Sequence, residues 1–189
     1  GTKNLHSAHA TFPRFSASVH LKMNDTEDLT VRANALQELL VSQQTLLLAT
    51  ASINNEPDLS YAPFVRDQAG CFYVFVSELA AHTANLQANP KASVMFIRPE
   101  SESRNLFARE RAAFNCKTRE ISRHEEIYTA QLTALQDKFG EVVNLLRSLS
   151  DFHLFALSPE SARYVAGFGQ AYTINVNDGS VSPFGNKQS

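Results

Sequence analysis

The sequence predicts an α+β protein whose antiparallel strands close into a barrel. The apolar spacing changes from a helical to a strand-like period near Thr45, returns to helical near Ser122, and becomes strand-like again at Phe152. The first three strand-like runs are joined by short turns, which suits an antiparallel meander. The two longer helical runs stand apart from the strands instead of alternating with them, which argues against a parallel α/β sheet.

The elements follow in order. Residues 1–24 are expected to form a flexible leader outside the barrel domain. The leader carries His6, His9 and His20; the His-x-x-His spacing has chelating potential, but a mobile polar arm is expected. A helix is expected from Thr26 to Ser42, with Asn24 and Asp25 as caps and a stripe of Leu29, Ala33, Leu36 and Leu40. Strands Thr45–Ser52 and Asp58–Val65 flank the turn Asn54-Asn55-Glu56-Pro57, and Cys71–Val76 follows the turn from Asp67 to Gly70. A short helix from Ala80 to Ala88 stops at Asn89-Pro90, where proline ends the ladder. Strands are expected at Lys91–Ile97 and Leu106–Cys116. Ser122 with Glu125 is a capping-box signature. It opens a helical stretch striped by Tyr128, Leu132, Leu135, Phe139, Val142, Leu146 and Leu149, with an interruption near Gly140. Strands return at Phe152–Ser158 and continue through the last glycine motif. The barrel domain is placed at residues 25–176 and a loose tail at 177–189.

With 189 residues, one domain is expected, and thirteen phenylalanines without tryptophan point to a Phe-rich interior. The net charge of −2 gives no basic surface for nucleic acid. No apolar run has the length of a membrane span, so no membrane partner is expected. No signal-peptide pattern is present, and two cysteines, Cys71 and Cys116, make no disulfide framework. The expected location is the cytoplasm.

Three small constellations and one glycine motif carry chemistry. Ser77, His82, Thr83 and Asn85 gather where a strand runs into a helix, a place where hydroxyls and open amides favour phosphate or simply cap the helix. Arg109 and Arg111, two apart on an expected strand, share a face suited to phosphate or carboxylate groups, or to plain solvent. Asp151 and His153 also share a face, as a proton-handling pair or a structural one. In Gly167-Phe168-Gly169-Gln170-Ala171-Tyr172 two glycines pinch a strand, either as a bulge or to let a flat group approach. The third glycine and following helix of a dinucleotide fingerprint are missing.

In combination these motifs resemble a known family. Ser60-Tyr61-Ala62-Pro63-Phe64-Val65, Ser77 with His82 and Asn85-Leu86, Asn89-Pro90, Leu106-Phe107-Ala108-Arg109, Asp151-Phe152 and the Gly-Phe-Gly-Gln-Ala-Tyr segment are similar to the HugZ/HutZ-type haem-utilisation proteins. That family sits in the pyridoxamine 5′-phosphate oxidase-like split-barrel superfamily. The resemblance covers about Val31 to Ile174. It implies a split β-barrel homodimer with ligand pockets at the subunit interface, binding haem, degrading it in some members, or FMN in the flavin oxidases. The implied cofactor-binding residues are Ser60, Tyr61, Ser77, His82, Thr83, Asn85, Arg109, Arg111, Phe168 and Gln170. Asp151 matches the acidic residue that positions the iron ligand in haem-degrading members. Two departures stand out. The flavin enzymes carry an Arg-Lys pair where this chain has His82-Thr83. The haem-degrading members carry an iron-binding histidine beyond the glycine motif, and Thr173–Ser189 holds none.

Overall fold

The computed structural model describes the backbone of residues 20–185 and side chains from residue 26. His6 and His9 lie outside the described residues. Helix α1 spans His20–Ser42, beginning six residues earlier than the sequence predicts. Its stripe does what the spacing demands: Leu36, Leu39 and Leu40 are buried, with Leu29 and Ala33 packed beside them.

Among the described residues nine strands form one antiparallel sheet. They are β1 Thr45–Ala51, β2 Pro57–Pro63, β3 Val65–Arg66, β4 Phe72–Ser77, β5 Lys91–Ile97, β6 Arg111–Ile121, β7 Phe152–Gly167, β8 Gln170–Ile174 and β9 Val181–Pro183. The spatial order is β2-β1-β5-β6-β7-β4-β3, and β8 also pairs with β7 and then with β9. β7 is the hinge of this layout. Its first half pairs with β4 and its second half with β8, while β6 runs along both. The sheet therefore forks and curls without closing, which is the split barrel. A register shift at Asn115/Cys116, opposite Pro159, lets β6 and β7 bend together over this length.

The barrel interior is lined by alternate residues of each strand and contains four interlocked phenylalanines. Phe72 lies 5.2 Å from Phe114 and 5.3 Å from Phe96, and Phe64 lies 5.1 Å from Phe96. A second core sits where α3 (Glu126–Phe139) and α4 (Glu141–Arg147) pack Leu132, Leu135 and Val143 on Val65, Tyr73, Ile121 and Leu154. Helix α2 (Ala81–Ala88) ends at Asn89, ahead of Pro90, as the sequence predicts.

Four expectations are corrected. The run from Leu106 is not strand at its start: Leu106–Ala108 form a 3₁₀ turn, with Asn105 Oδ1 accepting from Phe107 N, and β6 starts at Arg111. The interruption expected near Gly140 is present, but the stripe does not keep its phase beyond it. That residue has φ +87°, which breaks the ladder and restarts α4 in a new phase, so Val143 is buried and Val142 exposed. The helix starts at Glu126 and not at Ser122, although the expected capping-box contact forms, the Glu125 carboxylate accepting from Ser122 N at 2.6 Å. Finally, the tail beyond Asn177 is not wholly loose: Val181 is buried and pairs with Ile174 after a turn through Gly179.

Candidate cofactor site

Ser77 ends β4, the chain turns through Glu78–Ala80, and α2 begins at Ala81. This turn brings most of the first constellation together. Ser77 Oγ donates to Asp151 Oδ2 at 3.0 Å and accepts from Leu79 N at 3.1 Å. Thr83 Oγ1 donates to Ser77 O at 2.5 Å, and Glu78 N donates to Asp151 O at 2.8 Å. Ser60 on β2 donates to Leu48 O at 3.3 Å, which leaves His82 Nδ1 as the donor to Ser60 Oγ at 2.9 Å. Asn85 reaches across to Thr50 Oγ1 at 3.0 Å. Tyr61, next to Ser60, points the other way and is 64% exposed on the outer sheet face.

The electrostatics of this turn run against phosphate. Burial pushes the His82 pKa below its ordinary value, with Asp58 pulling the other way, so the ring is neutral at pH 7. Among the described residues no lysine or arginine hydrogen-bonds Ser60, Ser77, His82, Thr83 or Asp151. The three hydroxyl protons are spent on internal acceptors, and the Asp151 carboxylate is one hydrogen bond away. A phosphate seat needs donors and positive charge. The residues present do not fit the phosphate of FMN.

The opposite face of the sheet, pointing outward, is arranged in rows by the strand register. One row runs Tyr61, Leu47, Met95, Ala113, Arg163, Thr173. The next runs Ile97, Arg111, Val165, Ala171. A third, Leu59, Ala49, Ser93, Asn115, Ser161, is laced by Ser93 Oγ to Asn115 Oδ1 at 2.7 Å and Asn115 Nδ2 to Ser161 Oγ at 3.2 Å. Between the first two rows lies a cavity of about 290 Å³ lined by Met95, Arg111, Ala113, Arg163, Val165 and Phe184, among others. Arg163 stacks its guanidinium 5.9 Å from the Phe184 ring. The lining is apolar with two guanidinium groups, the complement of a flat apolar ring that bears carboxylates.

Arg109 and Arg111 are not the paired clamp that a common strand face predicts. Arg109 precedes β6, and its guanidinium is bound to Arg98 O at 2.6 and 3.0 Å. Arg111, on the strand, faces the cavity and uses one donor on Arg109 O at 3.1 Å. The glycine motif is a hairpin tip: Gly167 pairs with Gln170 across Phe168 and Gly169, whose φ of +69° suits glycine, and a bulge lies between Val165 and Gly167. Phe168 is 80% exposed at that tip, and Gln170, also exposed, opens β8.

Asp151 and His153 also take separate partners. His153 Nε2 lies 2.7 Å from Glu78 and Nδ1 lies 2.5 Å from Glu120. Burial disfavours its charged form, but the bonds to Glu78 and Glu120 outweigh that and raise its pKa. The sequence reading missed this clasp and also missed Arg163. Arg163 had a local signal, the two-residue step to Val165 on an outward face; the Glu78–His153–Glu120 contact had none, because its members are far apart in sequence.

Comparisons with known proteins agree with this architecture. The pyridoxamine 5′-phosphate oxidase family profile matches residues 33–166. The haem oxygenase HutZ of Vibrio cholerae is 39% identical over 143 residues, 76% of this chain and 81% of HutZ. A crystal structure of HutZ, described as a haem storage protein, superposes with a TM-score of 0.64 at 38% identity, covering 67% of this chain and 89% of HutZ. Campylobacter jejuni ChuZ superposes with a TM-score of 0.70 at 33% identity, covering 79% of this chain and 61% of ChuZ. A haem-binding protein from Mycobacterium smegmatis, 21% identical with a TM-score of 0.66, shares the fold. The chain belongs to the pyridoxamine 5′-phosphate oxidase family and, within it, to the HutZ type.

Proposed function

We propose that this chain binds haem on the outward sheet face, between two copies of itself. The observation that carries the proposal is the Arg111 and Arg163 pair set in apolar rows over β5–β8. Their guanidinium groups would hold the carboxylates, and Met95, Ala113 and Val165 would cover the ring. The likeness to HutZ, named a haem oxygenase and a haem storage protein, supports the choice of ligand. The cavity of about 290 Å³ lies at the lower edge of small-ligand pockets, roughly 300–1,000 Å³. A second copy laid on the exposed Leu47, Leu59 and Tyr61 would complete it. When bound, haem would supply the redox chemistry of its iron.

Titration with haemin tests this. The expected result is a Soret shift saturating at stoichiometric protein, and a spectrum that does not move sinks the proposal. Arg111→Ala with Arg163→Ala should weaken binding at least tenfold, since charged hydrogen bonds contribute about 1.5–3 kcal/mol each. Met95→Glu should lower the sedimentation coefficient and haemin affinity together. Between storage and degradation, the lining favours storage: among the described residues it holds no carboxylate, histidine or cysteine to transfer protons. The Soret band of the loaded protein should then persist under air with ascorbate.

A further inference from the structure

We infer that Asp151 is the specificity-determining residue that keeps phosphate-bearing cofactors out of the turn leading into α2. This goes beyond the haem proposal and does not depend on it. α2 starts at Ala81 with Ala80 as its N-cap and no side-chain cap bond; Thr83 N turns back to Ala80 O at 3.1 Å, which leaves the amides of Ala81 and His82 as open donors of the kind that attract anions. Among the described residues no lysine or arginine hydrogen-bonds this turn, the His153 ring is engaged by Glu78 and Glu120, and the hydroxyl protons are committed elsewhere. Ser77 Oγ has a single proton, and Asp151 Oδ2 takes it at 3.0 Å. Thr83 gives its proton to Ser77 O, and Ser60 gives its own to Leu48 O. Further negative charge comes from Glu78, held at 2.7 Å by His153, and from Asp58 beside His82. Of these acids Asp151 is the one bonded to Ser77, so it both consumes the donor and repels the anion. An asparagine there has the same shape, carries no charge and can donate to Ser77 Oγ, which turns the serine proton outward.

The test is FMN binding by fluorescence quenching, with riboflavin as the probe that lacks phosphate. The wild type is expected to bind FMN no better than riboflavin. Asp151→Asn is expected to gain at least tenfold for FMN and nothing for riboflavin, and inorganic phosphate should reverse the gain. Asp151→Ser, which also removes the charge, is the second variant, and circular dichroism melting establishes that each is folded. The inference is overturned if wild type prefers FMN to riboflavin, or if the folded variants show no gain for FMN. Haemin titration of wild type alongside reports on the haem proposal separately, because neither outcome there alters the FMN comparison.

Discussion

Replacing His153 with glutamine should destabilise the fold in a pH-dependent way. β7 lies between β6 and β4, and the His153 ring joins Glu120 on one side to Glu78 on the other. A neutral imidazole has one N–H and can serve only one carboxylate, whereas the imidazolium serves both. Side-chain exposures of 23% for His153, 56% for Glu78 and 43% for Glu120 place the pairs in partly screened surroundings. Each pair is then worth about 0.2–1 kcal/mol, and His153→Gln should cost about 0.5–2 kcal/mol with the ring charged. The folded-state pKa is raised, so this stability is fully present below the unfolded value of about 6.5 and is lost as pH rises through the folded value. At about pH 5.5 the His153 ring is charged and the full difference should appear. Urea unfolding of both proteins at that pH and at about pH 8.5 measures it, and high salt should shrink it. A cost that is equal at both pH values, or larger at the alkaline one, would refute the clasp.

Three further outcomes follow from packing and backbone. Phe72→Ala should lower unfolding free energy by about 3–5 kcal/mol because Phe72 is fully buried between Phe64, Phe96 and Phe114, while Phe107→Ala, 96% exposed, should stay within about 0.5 kcal/mol. Gly140→Ala should cost about 1–2 kcal/mol purely from its positive φ, since a Cβ there meets nothing within 4 Å; a stabilised variant in urea would contradict that. With a thiol-reactive dye under native conditions, Cys71 should react first. Cys116 should wait for unfolding, because burial removes access and pushes its pKa up to about 12.

Much of the fold is legible because short-range rules act alone there. The Asn54–Pro57 turn, the stop at Asn89-Pro90 and the α1 stripe each depend on a few neighbouring residues, and each forms where the sequence predicts. The misread stretches are those where one residue reset the frame. Gly140 moves burial from Val142 to Val143, and Asn105 folds the start of the expected strand into a 3₁₀ turn that detaches Arg109 from Arg111. The candidate site is legible in a coarser sense. Residue types marked Ser77, His82, Thr83 and Asn85 as a group, but only geometry adds Asp151 to them and shows that the Ser77 and Thr83 protons are turned inward. Long-range register decides the rest: Arg163 stands beside Ala113 and shares a cavity with Arg111 because β6 and β7 shift register at Asn115.

The two faces of this barrel divide the chemistry in a way that follows from charge. On the α2 side, Asp58 acts on a neutral His82, Asp151 is bonded to Ser77, and the hydroxyls that could bind an anion are already bonded within the protein. On the outward side, Arg111 and Arg163 stand among Met95, Ala113 and Val165, where little competes for their remaining donors. An anionic ligand is thus disfavoured at the first place and favoured at the second. A flat molecule with its charge at the edge can lie along the outward rows, whereas a phosphate dianion requires the converging donors that the α2 turn has spent. Removing the charge at Asp151 and reversing it at Arg163 should therefore move ligand preference in opposite directions: Asp151→Asn towards FMN, and Arg163→Glu away from haemin. If Arg163→Glu left haemin affinity intact while Arg111→Glu abolished it, one guanidinium and not the pair would define the outward site.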